Sequence, residues 1–255
     1  MPKFDPTTPS IARVYDYVLG GKDNFPADRE LGDRVLALVP QYAELAMENR
    51  QFLARAVTWA AGQGIGQFID LGCGLPTAPN THESAQAVIG DARVAYVDND
   101  QVVISHLNAL AAKGNPGVSV TDRDVRDAEA VIDRVGAHLD LSAPACLVMG
   151  ALLHFFTADD ARNLVARYTA ALAPGSCLVL SVLHADGEAA AESFKAYSSG
   201  VTQVHNHSEA EVAGFFGALE PVPPGVVEAR LWRPGWDLPG VPIRPNRMLA
   251  GVARS

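Results

Sequence analysis

From Ile65 onward, short apolar runs alternate with stretches of helical period, the signature of βαβ units around a mostly parallel sheet. Runs 67–71, 94–98, 117–120, 146–149 and 177–182 read as five successive strands with helices between them. Asn80 with Glu83 three residues later has capping-box spacing, and Thr157 with Asp160 is a near variant. Further helices are expected at 188–197 and 208–216, and two late β candidates, 222–228 and 248–252, bring the sheet to seven strands. Upstream of Ile65 the period changes. Residues 11–19, 26–39 and 42–60 repeat apolar side chains at helical spacing, with Ser10 placed as an N-cap and Gly20-Gly21, Pro40 and Gly62 as stops. The expected fold is therefore α/β. A seven-stranded, mostly parallel, doubly wound sheet (65–255) follows an all-helical N-terminal cap (1–64), and the two form one compact unit.

At 255 residues the chain suits one large domain, and 48% hydrophobic against 19% charged residues suits a packed core rather than a disordered chain. Twenty Lys and Arg against 29 Asp and Glu leave a formal charge of −9, which repels a polyanion. No dense basic run offsets it, so no nucleic-acid partner is expected. No apolar run reaches the ~18 residues that cross a bilayer, so no membrane partner is expected either. The start Met1-Pro2-Lys3-Phe4 lacks an apolar secretory region, and Cys73, Cys146 and Cys177 are odd in number and far apart, as in reduced thiols. Both features predict a cytoplasmic protein.

Phe68-Ile69-Asp70-Leu71-Gly72-Cys73-Gly74 runs an apolar strand directly into Gly-x-Gly, which lets backbone turn tightly and approach a ligand with no Cβ in the way. By itself that is an ordinary strand-to-helix turn. Asp98, at the end of the second strand, adds an acid near the spacing that bonds the ribose hydroxyls of an adenosine ligand. Asp124 and Val125, after the third strand, could offer a carboxylate and an apolar side chain to an adenine edge. A dinucleotide site, as in an NAD(P)-dependent reductase, wants a third glycine and an immediate helix N-terminus. Here the loop continues Leu75-Pro76-Thr77 and the helix is delayed to about Thr81, which suits an adenosyl ligand with a short zwitterionic tail better than a diphosphate.

This ordered set resembles the class I S-adenosylmethionine-dependent methyltransferases. Pro9-Ser10-Ile11-Ala12-Arg13-Val14-Tyr15-Asp16-Tyr17, Leu19-Gly20-Gly21-Lys22-Asp23-Asn24-Phe25, Gly74-Leu75-Pro76-Thr77, Tyr96-Val97-Asp98-Asn99-Asp100 and Ala250-Gly251-Val252 narrow the likeness. They resemble an actinobacterial S-adenosyl methyltransferase family long carried as a domain of unknown function. The resemblance covers nearly the whole chain. It implies S-adenosyl-L-methionine as cofactor, held by Asp70, Gly72, Gly74, Pro76, Asp98, Asn99, Asp124 and Val125, with Arg13 or Asn24 reaching the donor from an N-terminal lid. It also implies a last strand inserted antiparallel beside the fifth.

Methyl transfer from a sulfonium needs alignment and water exclusion more than a strong catalytic group, although an acceptor that carries a proton needs a base. Tyr15 and Asp16 are expected to face the acceptor, with Gly20-Gly21 as a hinge, against the plainer reading of a solvated helix end. His154, after the fourth strand, is either a base at the ligand edge of the sheet or a packed histidine; His184 has a weaker claim. His205-x-His207 lacks metal-ligand spacing, and no metal is assigned. Trp232 and Trp236, in a Pro/Gly-rich stretch at 232–245, line either an acceptor pocket or a core. Met149-Gly150-Ala151-Leu152 lacks the Asn/Asp-Pro-Pro-aromatic turn of amino-nucleobase methyltransferases, and no cysteine follows a proline. A small molecule, with an aromatic or heteroaromatic ring as one candidate, is the expected acceptor; a non-catalytic S-adenosylmethionine-binding module is the other reading.

Overall fold

Side chains alternate between two separate cores along each central strand. Phe68, Val94, Tyr96, Cys146, Val148, Cys177 and Val179 enter one core, while Ile69, Ala95, Val97, Leu147, Met149, Leu178 and Leu180 enter the other. A strand apolar on both faces must be covered on both, which is what a doubly wound sheet provides. The computed structural model describes residues 5–186, 202–233, 235 and 242–255. The parallel strands are β1 (Gln67–Leu71), β2 (Arg93–Asp98), β3 (Val118–Asp122), β4 (Cys146–Gly150) and β5 (Cys177–Ala185). They are followed by β6 (Glu220–Pro221), β7 (Val227–Glu228) and β8 (Asn246–Arg254). The sheet order is β3-β2-β1-β4-β5-β8-β6, with β7 also paired to β8, and β8 runs antiparallel to β5 as expected.

Among the described residues the sheet has eight strands rather than seven. Of the expected strand 222–228 only 227–228 forms a strand, β7, and β6 lies just upstream of the range; Pro223 and Pro224 have no N–H for the ladder, although Val222 N still donates to Val252 O at 2.8 Å. The expected helix 188–197 lies outside the described residues, as does Trp236.

Three helices precede the sheet: α1 (Ile11–Val18), α2 (Pro26–Leu38) and α3 (Tyr42–Gly62). Val14, Val18, Leu31, Val35, Val39, Tyr42 and Ala46 form a third, smaller core among them. Further along α3, Phe52, Ala56, Val57 and Ala60 pack on one sheet face with α4 (Thr81–Gln86) and α5 (Gln101–Leu107). The opposite face carries α6 (Ala128–Gly136), α7 (Ala158–Thr169) and α8 (Glu209–Gly214). Trp232 belongs to the first core and not to a pocket: it is fully buried, edge-on to Phe52 at 5.5 Å and to Trp59 at 6.2 Å between ring centroids. No described helix is long and apolar enough to cross a membrane.

Candidate functional site

The order of strands reverses between β1 and β4, and in open α/β sheets ligands bind at the carboxyl ends flanking such a point. A cavity of about 990 Å³ opens there, reaching from Gly72, Gly74 and Asp98 to Ser10, Ala12 and Tyr15 of the N-terminal segment. The Gly-x-Gly loop takes the conformation its glycines permit. Gly72 and Gly74 have φ of +63° and +67°, and a Cβ on Gly72 would meet Leu152 Cδ1 at 2.7 Å. Asp98 Oδ2 accepts from Gly74 N at 2.9 Å and Oδ1 from Asp100 N at 3.0 Å. Cys73 Sγ lies 3.9 Å from the same Oδ2, and burial holds the Asp98 pKa above the usual carboxylate range. Asp70 accepts from Thr81 Oγ1 at 2.6 Å, and burial pushes its pKa up to about 6.

Several expected site residues line the cavity: Arg13, Tyr15, Asp16, Asp70, Gly72, Gly74, Asp98, Asn99 and Asp124. Their local partners qualify the expectation. Arg13 Nε pairs with the fully buried Asp28 at 2.9 Å, and its Nη2 donates to Thr8 O at 2.6 Å. Asp124 is gripped by Arg126 Nε and Nη2 at 2.9 and 2.5 Å, and that pairing lowers its pKa. Tyr15 donates to Ala46 O at 3.0 Å and accepts from Asn49 Nδ2 at 3.1 Å, and burial raises its pKa.

Four expected residues are absent from the described cavity lining. Asn24 donates to Asp16 Oδ2 at 2.9 Å and to Gly21 O at 3.1 Å, so its amide closes the Gly20-Gly21 turn instead of reaching a ligand. The turn is closed in this structure: Gly21 N donates to Asp16 O, and a Cβ on Gly21 would lie 2.0 Å from Asp16 Oδ1. Val125 turns into the second core, where Tyr168 Oη donates to its carbonyl at 2.8 Å. Pro76 lies between the lining residues Leu75 and Thr77 without joining them. His154 is 4% exposed, accepts from Leu183 N at 3.4 Å, and is held by burial at a pKa of about 3; it is a neutral, packed histidine. His184 is likewise buried, against His207 O and Asp186. No His, Cys, Asp or Glu cluster able to hold a metal occurs among the described residues.

Other groups in and behind the cavity wall were not assigned to the site from the sequence. Ser10 holds the N-cap position of α1, as expected, but makes no side-chain capping bond; its hydroxyl bonds Asp100, which in turn caps α5. Ser181 Oγ donates to Asn49 Oδ1 at 2.6 Å and accepts from Ala151 N at 2.9 Å, steadying a left-handed Ala151 (φ +51°) in the cavity wall. Asn49 and Arg50 sit on α3, and a polar Asn49 at an apolar-periodic position was the available signal for them.

A reversed last strand on a doubly wound parallel sheet, a left-handed Gly-x-Gly loop after β1 and a cavity-lining carboxylate ending β2 define a class I S-adenosylmethionine-dependent methyltransferase. The carboxylates of Asp70 and Asp98 in the cavity lining and the Cβ-free backbone at Gly74 fit the ammonium and ribose of that cofactor. The S-adenosyl methyltransferase family model matches residues 1–255, and the chain belongs to that family. A candidate methyltransferase from Thermobifida fusca YX is 42% identical over 99% of this chain and 97% of its own, with a TM-score of 0.94. A DUF574 family protein from Streptomyces avermitilis MA-4680 is 34% identical over 99% of both chains, with a TM-score of 0.92. The magnesium protoporphyrin IX methyltransferase of Synechocystis PCC 6803, solved with its methyl donor, is 14% identical over 100% of both chains at a TM-score of 0.52, a likeness of fold. No match was found among curated proteins.

Proposed function

We propose that the protein transfers a methyl group from S-adenosylmethionine to a small-molecule acceptor enclosed between the donor site and α1. The supporting observation is the cavity itself. At about 990 Å³ it stands at the upper end of the ~300–1,000 Å³ of pockets that hold one drug-sized ligand, and it continues past the glycine loop to Ala12 and Tyr15. In this reading Asp98 holds the ribose hydroxyls, Asp70 the ammonium, and the backbone at Gly72 and Gly74 the bend between them. Asn99 and Asp124 flank the base. The bound donor supplies an already activated methyl group, transferred by in-line displacement.

The chain's own contribution is alignment and exclusion of water. Ile11, Ala12, Leu53, Leu152 and Phe155 give the acceptor half an apolar lining, which favours a flat or ring-bearing acceptor. Tyr15 keeps its proton at neutral pH and directs it at Ala46 O, so it positions rather than acts as base. Asp16 is the carboxylate left on that wall to hold an acceptor N–H or O–H. The test separates a cell extract into low-molecular-mass and macromolecular fractions and follows release of S-adenosylhomocysteine with each. Release with the small-molecule fraction, together with a product heavier by one methyl group, is expected. Release confined to the protein or nucleic-acid fraction would overturn the proposal.

A further inference from the structure

Helix α1 brings one acid to the cavity, and that acid has no counter-charge. Ile11, Ala12, Tyr15 and Asp16 stand at i, i+1, i+4 and i+5, so one face of α1 lines the cavity with Asp16 on it. Asp16 is 7% exposed. Its Oδ2 accepts from Asp23 N and Asn24 Nδ2, both at 2.9 Å and both neutral donors. No Lys, Arg or His forms an ion pair with it among the described residues. An anion so far from water is costly to keep unless a ligand brings the missing positive charge.

The arginines of the lining are engaged elsewhere. Arg13 pairs with buried Asp28 at 2.9 Å, and Arg50 turns its Nη2 to Thr77 O and Pro79 O on the loop that follows Gly74. Arg123 is exposed after β3 and donates to Asp122 O at 2.8 Å. The polar groups behind α1 are paired with one another: Ser181 Oγ donates to Asn49 Oδ1 at 2.6 Å, Asn49 Nδ2 to Tyr15 Oη at 3.1 Å, and Tyr15 Oη to Ala46 O at 3.0 Å. That chain is neutral throughout, and its direction is fixed because the carbonyl at its end can only accept. Leu53, Leu152 and Phe155 complete the wall with apolar surface. A group entering this half therefore meets one anion, aromatic rings and hydrocarbon, which together suit an organic ammonium. A carboxylate or phosphate in the same place would be repelled by Asp16.

We propose that the methyl acceptor is an organic amine, protonated at neutral pH, and that Asp16 holds its ammonium group as an ion pair against the face of α1. This rests on reading the cavity as a methyl-transfer site with an enclosed small-molecule acceptor. The ammonium is the handle that orients the acceptor, and Asp16 is a specificity-determining residue. It selects amines over carboxylic acids, phosphate esters and uncharged ring compounds of the same size.

The competing role for Asp16 is closure of the turn at 20–24, and the charge of the acceptor distinguishes the two. The small-molecule fraction of a cell extract is divided at neutral pH on cation- and anion-exchange resins, and release of S-adenosylhomocysteine is followed with each eluate and with the unretained material. Release is expected with the cation-exchanger eluate. Asp16→Asn keeps the shape and an acceptor oxygen for the turn and removes only the charge. It should raise the amount of that eluate needed for half-maximal rate about tenfold or more, while calorimetric affinity for S-adenosylhomocysteine stays level. Asp16→Glu, which keeps the charge one methylene further out, should lose less and serves if the Asn variant does not fold. Release confined to the anion-exchanger eluate or to unretained material overturns the proposal and leaves the enclosed acceptor standing. An Asp16→Asn half-saturation equal to that of the unaltered protein also overturns it, and so does an equal loss of acceptor and S-adenosylhomocysteine binding, which would make Asp16 a turn closure alone. If no small-molecule eluate supports release, the enclosed-acceptor reading itself fails, and the handle with it.

Discussion

Asp70 and Asp98 are buried carboxylates in one cavity, and burial raises the pKa of both, Asp70 to about 6. A raised folded-state value means that the free protein prefers the neutral acid. Its contribution to stability is complete below the ordinary value near 3.8 and is lost as pH rises through about 6. Donor binding has the opposite preference, because an ammonium wants the ionised carboxylate. Affinity for S-adenosylhomocysteine should therefore fall below pH 6, by up to about tenfold per pH unit for this one group, with a proton released on binding. Calorimetry in buffers of different ionisation enthalpy checks this, and the slope should flatten in Asp70→Asn; an unchanged slope would remove Asp70 from the ammonium site. For Asp98, loss of a charge-assisted bond to the ribose is worth ~1.5–3 kcal/mol, so Asp98→Ala should weaken binding about tenfold to a hundredfold. An affinity within twofold of the original would sink the ribose assignment. The carboxylates and glycines were legible because motif spacing and strand ends fix them. His154, Asn24, Pro76 and Val125 were not, since adjacency to a strand end or a turn does not say which way a side chain points. Arg50 was hidden because a helix upstream of the sheet returns it to the glycine loop only in three dimensions.

At the scale of elements, the N-terminal helices decide whether the cavity has a wall. Asp28, at the first turn of α2, accepts from Ser10 N, Phe25 N and Arg13 Nε, so a single buried acid ties the N-terminal end of α1 to the start of α2. Removing one partner of a buried pair leaves an uncompensated charge and costs about 3–5 kcal/mol. Arg13→Met should lower the urea midpoint by that equivalent with little change in the slope, and hydrogen exchange should speed up first in α1. A shift under about 0.5 kcal/mol would mean that the pair behaves like a solvent-exposed one. The helices themselves could be read from period and punctuation, and so could β1 to β5, because strands covered on both faces are continuously apolar. The β6–β7 edge could not be read as it is. Val222, Val226 and Val227 suggest one strand, but two prolines deny the ladder its donors in the middle. The contacts of the Gly20-Gly21 turn were equally hidden: Asp16 accepts from Asp23 N and Asn24 Nδ2 at 2.9 Å, bonds that no periodicity announces.

For the whole molecule, the sign of the charge links donor binding to product release. The formal charge of −9 surrounds a cavity lined, among the described residues, by seven aspartates and three arginines, one of which is cancelled by Asp28. Such a field attracts a cation and is indifferent to a neutral zwitterion. S-adenosylmethionine carries a net positive charge through its sulfonium, and S-adenosylhomocysteine carries none. The reaction thus removes the charge for which the cavity is built, so the product loses an attraction that the donor had and release is eased. Screening should expose the difference, since the Debye length shortens from about 10 Å at 0.1 M salt to about 3 Å at 1 M. Affinity for S-adenosylmethionine should fall several-fold between low and high salt, while affinity for S-adenosylhomocysteine stays nearly level, as measured by calorimetry with both ligands on the same preparation. Parallel salt dependence for the two would show that the carboxylates act through short contacts alone, and the long-range part of this account would have to be given up.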